Sequence, residues 1–159
     1  MKRAGFTMIE LIFVIVILGI LAAVAIPKLA ATRTDAGVSK MTSNVATLTT
    51  DLGAYWTANG AWPTNWSGTT NVALQTAAGG TTASTAIGTT AYLNAGTAGA
   101  ADGCYSIATT TDGNVTVSSI VSTTATNPVC VAAKTATDTN NLSSTAGVTT
   151  SFGGTSVSY

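Results

Sequence analysis

The sequence contains no histidine and very little charge. Its six basic and six acidic residues are 8% of the chain and cancel to a net charge of zero, whereas an average soluble domain is about one quarter charged. Without histidine, Ser-His-Asp and Cys-His catalytic sets and a Cys₂His₂ zinc site are excluded. No spacing links two carboxylates for acid-base chemistry, and no phosphate-binding loop with its lysine occurs. We therefore predict that the chain is not an enzyme and has no cofactor.

Charge is scarcest in the C-terminal two thirds of the chain. No basic patch occurs there, which argues against a nucleic-acid partner bound through its phosphates. Threonine is abundant instead, with 32 residues in the whole chain, and interspersed apolar and aromatic residues favour Thr-rich strands over a disordered tract. Only four of the 108 residues from Leu52 to Tyr159 are charged: Asp102, Asp112, Lys134 and Asp138.

The chain has only two cysteines, Cys104 and Cys130. In an exported protein two cysteines most simply form one disulfide bond. The closed loop would hold 27 residues, and the cross-link would then stabilise the folded state by about 3.5 kcal/mol. Two unrelated buried thiols are the alternative.

A long apolar run lies near the N-terminus. Leu11–Ile26 contains only apolar residues and glycine, and extension back to Phe6 gives a helix of about 31 Å, enough to cross a bilayer core. Lys2 and Arg3 precede the run, so the positive-inside rule predicts a cytoplasmic N-terminus and an exported domain. A cleaved signal peptide, an ordinary signal anchor and a buried core helix are alternatives.

One acid, Glu10, lies within this apolar extension. None of the three alternatives explains it, because a carboxylate at the bilayer centre costs about 3 kcal/mol. The segment from Gly5 to Leu11, GFTMIEL, resembles the leader-peptidase motif of type IV prepilins and type II secretion pseudopilins. Because its charge is costly in lipid, Glu10 should have a partner and a role in assembly.

The resemblance implies a processing and assembly pathway. A prepilin peptidase and methyltransferase would cut after Gly5 and methylate the new N-terminus at Phe6. The subunit would be stored in the inner membrane as a single-pass protein. Pilus or secretion machinery would then polymerise it, with itself alone or with other pilins, into a filament in the periplasm or on the cell surface. Glu10 would pair with the amine of a neighbouring subunit and set the register. Pro27 lies where helices of this family often kink.

The second half of the helix is amphipathic. Lys28 and the residues after it read as helix again, and Asn59-Gly60 is a stop signal, so we predict one helix from about Phe6 to Ala58. Apolar residues recur at spacings of three and four and form one stripe that packs on a domain: Val38, Met41, Val45, Leu48, Leu52 and Tyr55.

Strand signals follow the helix. Cys104–Ala108 and Val115–Val117 alternate around an Asp112-Gly113 turn. We predict an α+β, pilin-like fold in which the long N-terminal helix packs on a small antiparallel sheet of about four strands. The further candidate strands are Ala91–Leu93, Val129–Val131, Val148–Phe152 and Ser156–Tyr159.

The predicted domain organisation has four segments. Residues 1–5 are the leader, residues 6–27 the transmembrane and filament-core helix, residues 28–58 the amphipathic helix, and residues 59–159 a Thr- and Ser-rich periplasmic or extracellular β-domain. The predicted function is that of a structural filament subunit. A minor or tip subunit that binds a surface, a secreted substrate or a carbohydrate is the alternative.

Three further features of the sequence concern modification, calcium binding and the packing of tryptophans. Asn114 lies in an acid-extended N-glycosylation sequon and is a candidate modification site. Asp112-Gly113 is read as a turn, although calcium in a C-terminal loop is left open because some pseudopilins bind it there. Trp56, Trp62 and Trp66 cluster after the apolar stripe, and packing in the domain core is favoured over stacking on sugars or bases.

Overall fold

The first element is a long helix, α1, which spans Met8–Asn59 in the computed structural model. The structure describes residues 5–96, 102–120 and 127–153. The predicted boundaries of α1 agree with the observed ones to within two residues. The helix continues through Pro27, which supplies no amide hydrogen, and a kink at this position stays a prediction. Gly60 ends the helix with a positive φ of 66°, and its N–H donates to the carbonyl of Trp56 at 2.8 Å.

The chain divides into two compact units, Met1–Ala36 and Gly37–Tyr159. The described part of the first unit consists almost entirely of helix, and nearly all of its side chains are exposed. The second unit contains the rest of α1 and every other element. Its core is built around the predicted apolar stripe, because Met41, Val45, Leu48 and Leu52 are all buried.

A four-stranded antiparallel sheet covers this stripe. The strands are β1 (Ala91–Asn94), β2 (Gly103–Thr109), β3 (Asn114–Ser119) and β4 (Val148–Ser151), and their order in the sheet follows the chain. Alternate side chains of β3 are buried, as expected for a sheet with one face on the core. The α+β fold with one long helix packed on a small antiparallel sheet is therefore confirmed. The sheet residues that join the helical stripe in the core include Leu93, Tyr105, Ile107, Val115 and Val117.

The turn between β2 and β3 forms at the predicted Asp112-Gly113 position. The Gly113 backbone has a φ of 80°, and its N–H donates to the carbonyl of Thr110 at 3.2 Å. Any side chain at this glycine would overlap the indole of Trp56. Glycine is therefore required here both by the backbone conformation and by the close approach of the helix.

The predicted strand at Val129–Val131 is wrong, since these residues lie in a second helix, α2, which spans Pro128–Thr139. Asn127 caps this helix by accepting a hydrogen bond from the Val129 N–H at 2.9 Å, and proline at the first helical position is pre-set for a helix. The apolar run from Val129 to Val131 has only three residues, and so short a run does not distinguish a strand from one turn of a helix. The buried face of α2 has helical spacing and consists of Cys130, Ala133 and Thr137.

The other candidate strands have different outcomes. Ala91–Leu93, Cys104–Ala108 and Val115–Val117 lie within β1, β2 and β3, and most of Val148–Phe152 forms β4. Ser156–Tyr159 lies outside the described residues.

The segment between the helix and β1 is mostly irregular. Gln75 forms isolated bridges with Ala83 and Tyr92, and Asn65 forms one with Ala86. Trp66 is buried in the core, in agreement with the favoured packing interpretation.

Candidate assembly site

The N-terminal end of α1 is organised by two polar side chains, Thr7 and Glu10. The Thr7 N–H and hydroxyl both donate to Glu10 Oε2, at 3.2 and 3.0 Å, and the Glu10 N–H donates to Thr7 Oγ1 at 3.3 Å. This reciprocal arrangement is a capping box, which satisfies amide groups that have no partner inside the helix. The positive end of the helix dipole also favours a carboxylate here.

The Glu10 carboxylate has capacity for a further partner. It is exposed, and within the described part of the chain its second oxygen, Oε1, accepts no hydrogen bond. Gly5 and Phe6 precede the capping box, and Phe6 is 88% exposed. A positive group that approached this end of the helix would therefore meet a carboxylate held in a defined position.

A continuous apolar surface follows the capping box. Nearly all large hydrophobic side chains that are exposed in the described residues lie between Phe6 and Leu29, and the exception is Val131 in α2. In α1 the most apolar window of 18 residues has a mean hydropathy of 3.1 and no buried residue. By length and composition this is a helix that could cross a membrane, a property that signal sequences share.

Thr7 is the residue that the sequence reading missed. A threonine three residues before a glutamate, at the start of an apolar run, is the pattern of a capping box. The pattern is present at Thr7–Glu10, so the cap is a local property of the sequence.

The other predicted site residues lie in the second unit. Cys104 of β2 and Cys130 of α2 form the predicted disulfide bond, with their Cα atoms 4.9 Å apart. Asn114 is the first residue of β3 and is half-buried, and its modification stays a prediction. Calcium also remains untested; among residues 5–96, 102–120 and 127–153, no three acidic, histidine or cysteine side chains form a cluster that could hold a metal ion.

The N-terminal motif and part of the chain are similar to known proteins. A family profile described as the prokaryotic N-terminal methylation motif matches residues 1–26. Type II secretion system core protein G of Dickeya chrysanthemi is 36% identical over 67 residues, which are 42% of this chain and 44% of the relative. The same protein of Aeromonas hydrophila is 37% identical over 67 residues, 42% of this chain and 47% of the relative.

The matched region therefore spans less than half the length of these curated relatives. No solved structure matches the chain significantly. The relatives are named as core proteins of a secretion system and not as enzymes, in agreement with the prediction that the chain is not an enzyme.

An exposed apolar helix that begins with a capped glutamate and continues onto a small antiparallel sheet defines a pilin-like protein. The methylation motif at residues 1–26 and the similarity to type II secretion system core protein G over 67 residues both support the resemblance to type IV pilins and type II secretion pseudopilins.

Proposed function

We propose that the chain is a structural subunit of a pseudopilus of the type II secretion kind, or of a related type IV pilus. The observation that carries the proposal is the exposed apolar surface from Phe6 to Leu29, with Glu10 at its N-terminal end. Such a surface has to be covered by lipid or by protein, and a filament core provides the second environment after the bilayer provides the first.

Cleavage and methylation change the charges at the N-terminal end of α1. Cleavage after Gly5 removes Lys2 and Arg3, so the side-chain charge changes from 0 to −2, and it creates an amine at Phe6. The family's N-methylation would follow at Phe6. Oε2 of Glu10 is engaged by Thr7, whereas Oε1 accepts no hydrogen bond in the described residues and can receive the amine of a neighbouring subunit.

Pairing between Glu10 and the amine of a neighbouring subunit favours assembly. A carboxylate and an amine are each costly in lipid, and their mutual pairing between subunits relieves that cost. Glu10 would thereby set the axial register and help to draw the subunit out of the inner membrane. The partners are other copies of the chain, a prepilin peptidase and methyltransferase, and the assembly machinery of the inner membrane, with the N-terminus of the precursor on the cytoplasmic side.

The experiment that tests this role compares Glu10→Ala and Glu10→Gln with the unaltered chain in a strain that carries the matching assembly machinery. We expect both variants to be cleaved normally and to accumulate in the membrane, and sheared filaments seen by electron microscopy to disappear. Intact mass spectrometry of the membrane fraction identifies the mature N-terminus and its methylation.

Asp35→Ala is the matched control, because it removes an exposed carboxylate of the same helix outside the apolar surface, and its filaments should form normally. Filaments of normal abundance from Glu10→Gln would contradict the register role. A mature N-terminus at Ile26 would instead support a cleaved signal peptide and overturn the proposal as a whole.

The alternative is a minor or tip subunit that acts as a binding module. Abundance separates the two roles, since a major subunit dominates sheared filaments and a tip subunit is scarce. The specific observation that favours a binding role is a groove in the second unit.

A further inference from the structure

A groove of about 580 Å³ opens on the surface of the second unit. Its volume falls within the range of about 300–1,000 Å³ that is typical of small-molecule sites. No charged side chain is among its lining residues in the described part of the chain, and the lining includes Trp62, Pro63, Ile87, Thr109, Thr110 and Thr111.

The aromatic wall of the groove is held in place by two contacts. The Trp62 indole N–H donates to the carbonyl of Thr110 at 2.7 Å, and the ring lies 4.7 Å from that of Trp56 with an interplanar angle of 47°. Trp62 is only half-buried and lines the groove, whereas Trp66 is almost completely buried in the core. Trp62 is therefore a fixed aromatic surface that a ligand can reach without rearrangement.

Threonines supply the polar part of the lining. Thr109, Thr110 and Thr111 are consecutive lining residues, and Thr111 is exposed. The Thr109 hydroxyl is buried and has no hydrogen-bond partner among the described residues, which is a costly state for a polar group. A ligand with its own hydroxyl groups could supply the missing hydrogen bond after a small rearrangement of the side chain.

These features select one class of ligand. The absence of charged lining groups disfavours phosphates, nucleic acids and acidic peptides, which are held by cations. The threonine wall disfavours a purely apolar molecule. A pyranose ring has C–H groups that pack on the negative face of an indole, and hydroxyl groups that pair with threonine.

We propose that this groove binds a neutral hexopyranose unit of a glycan, with the ring stacked on Trp62 and its hydroxyls hydrogen-bonded to Thr109 and Thr111. The proposal goes beyond the filament role and does not depend on it, because every group that it uses lies in the second unit. It gives the alternative role of a binding module a defined site.

The test is a titration of the isotope-labelled full chain followed by nuclear magnetic resonance of the Trp62 indole N–H, which Trp62→Phe identifies by its loss. The micelles are made from a phosphocholine detergent, because a sugar headgroup would itself compete. The probes are neutral tetrasaccharides of glucose, mannose, galactose and N-acetylglucosamine. We expect at least one of them to shift the Trp62 resonance saturably, with a dissociation constant of about 1 mM.

Variants then test the site. Because both Trp62 variants lack the indole reporter, binding to them is followed by the backbone amide resonance of Thr111, another lining residue. Trp62→Ala should weaken binding by about tenfold, whereas Trp62→Phe, which keeps an aromatic face, should remain within about threefold of the unaltered chain. Thr111→Arg places a large side chain in the groove from an exposed position and should abolish binding. Thr135→Arg is the matched control, since Thr135 is an exposed threonine of α2 that does not line the groove.

Near-ultraviolet circular dichroism checks the fold of each variant, and Thr111→Arg decides the matter if Trp62→Ala does not fold. If none of the neutral probes gives a saturable shift at 20 times the expected dissociation constant, the proposal is overturned. Unchanged binding of a probe by Thr111→Arg would also overturn it. Binding of tetragalacturonate or of a thymidine octanucleotide in place of neutral probes would also overturn it. So would a Thr111→Arg chain that binds sugar normally and fails only to form filaments, because the groove would then be a contact between subunits.

Discussion

At the scale of single residues, Tyr105 is an ionisable side chain in the core of the second unit. Its side chain is completely buried, and its hydroxyl lies 3.0 Å from Thr137 Oγ1, which in turn lies 2.7 Å from Ser143 Oγ. Burial raises the pKa of Tyr105, the hydrogen bond with Thr137 partly opposes this change, and the negative charge of Asp138 adds to it. The neutral phenol is therefore strongly preferred in the folded state.

The raised pKa of Tyr105 predicts a pH dependence of stability. The unfolded chain loses the tyrosine proton near the ordinary pKa of 10.0, while the folded chain keeps it. The contribution of the neutral phenol is thus complete below pH 10 and is lost as the pH rises towards the folded-state pKa, by up to about 1.4 kcal/mol per pH unit.

We expect Tyr105→Phe to lower the free energy of unfolding by about 1 kcal/mol at pH 7, because one buried hydrogen bond is lost. The variant lacks the ionisable group, so its difference from the unaltered chain should shrink as the pH rises above 10. Urea unfolding followed by tryptophan fluorescence between pH 7 and 11 measures both effects. Thr137→Val also removes the bond but should keep the pH dependence. Parallel curves for the unaltered chain and Tyr105→Phe would refute this account.

At the scale of elements, α2 depends on contacts that are distant in sequence. The disulfide bond joins it to β2, and the Asn127 amide that precedes it donates to Asp102 Oδ1 at 2.6 Å. Lys134 and Asp138 are one turn apart in α2, are both half-buried and form an ion pair. A helix of 12 residues is marginal by itself, so these contacts hold it in place.

We expect the Cys104→Ala, Cys130→Ala double variant to lose about 3.5 kcal/mol of stability, because the loop between the two cysteines is no longer closed in the unfolded chain. Urea unfolding of the variant and of the oxidised and reduced native sequence provides the measurement. Reduction alone should account for most of the loss, since it leaves the packing of the two side chains intact. Equal midpoints for the oxidised and reduced chains would show that the cross-link contributes little.

At the scale of the whole molecule, apolar exposure and compact packing are separated along the sequence. The described residues of the first unit expose a nearly continuous apolar surface, whereas in those of the second unit Val131, at 47%, is the one large hydrophobic residue that is exposed. The second unit also has its own core and its own disulfide bond.

We therefore expect residues 37–159, exported to an oxidising compartment, to be a soluble monomer without detergent. Size-exclusion chromatography with light scattering gives the mass, and thermal unfolding should be a single cooperative transition. A chain of residues 6–159 is the control and should aggregate unless detergent is present. An aggregated or unfolded 37–159 chain would show that the apolar helix is needed for the fold of the domain.

Much of the fold and of the assembly site could be predicted from short-range patterns. The stripe from Val38 to Tyr55 and the glycine at position 60 predicted α1 almost to the residue, because helical periodicity and capping are local properties. The alternation of β2 and β3 around Gly113 was equally local. The strand predicted at Val129–Val131 is wrong because the Asn127 cap and the burial of one face of α2 outweigh the β propensity of two valines.

By itself, the sequence determined the apolar helix, its glutamate and the processing motif, since each depends on neighbouring residues in the chain. Only the tertiary structure decided that Cys104 meets Cys130, that Tyr105 is buried against Thr137, and that Trp62 and Thr109 line one groove. These are pairings between residues far apart in the chain, and the packing of α2 and the sheet on α1 selects them through contacts that no local pattern records.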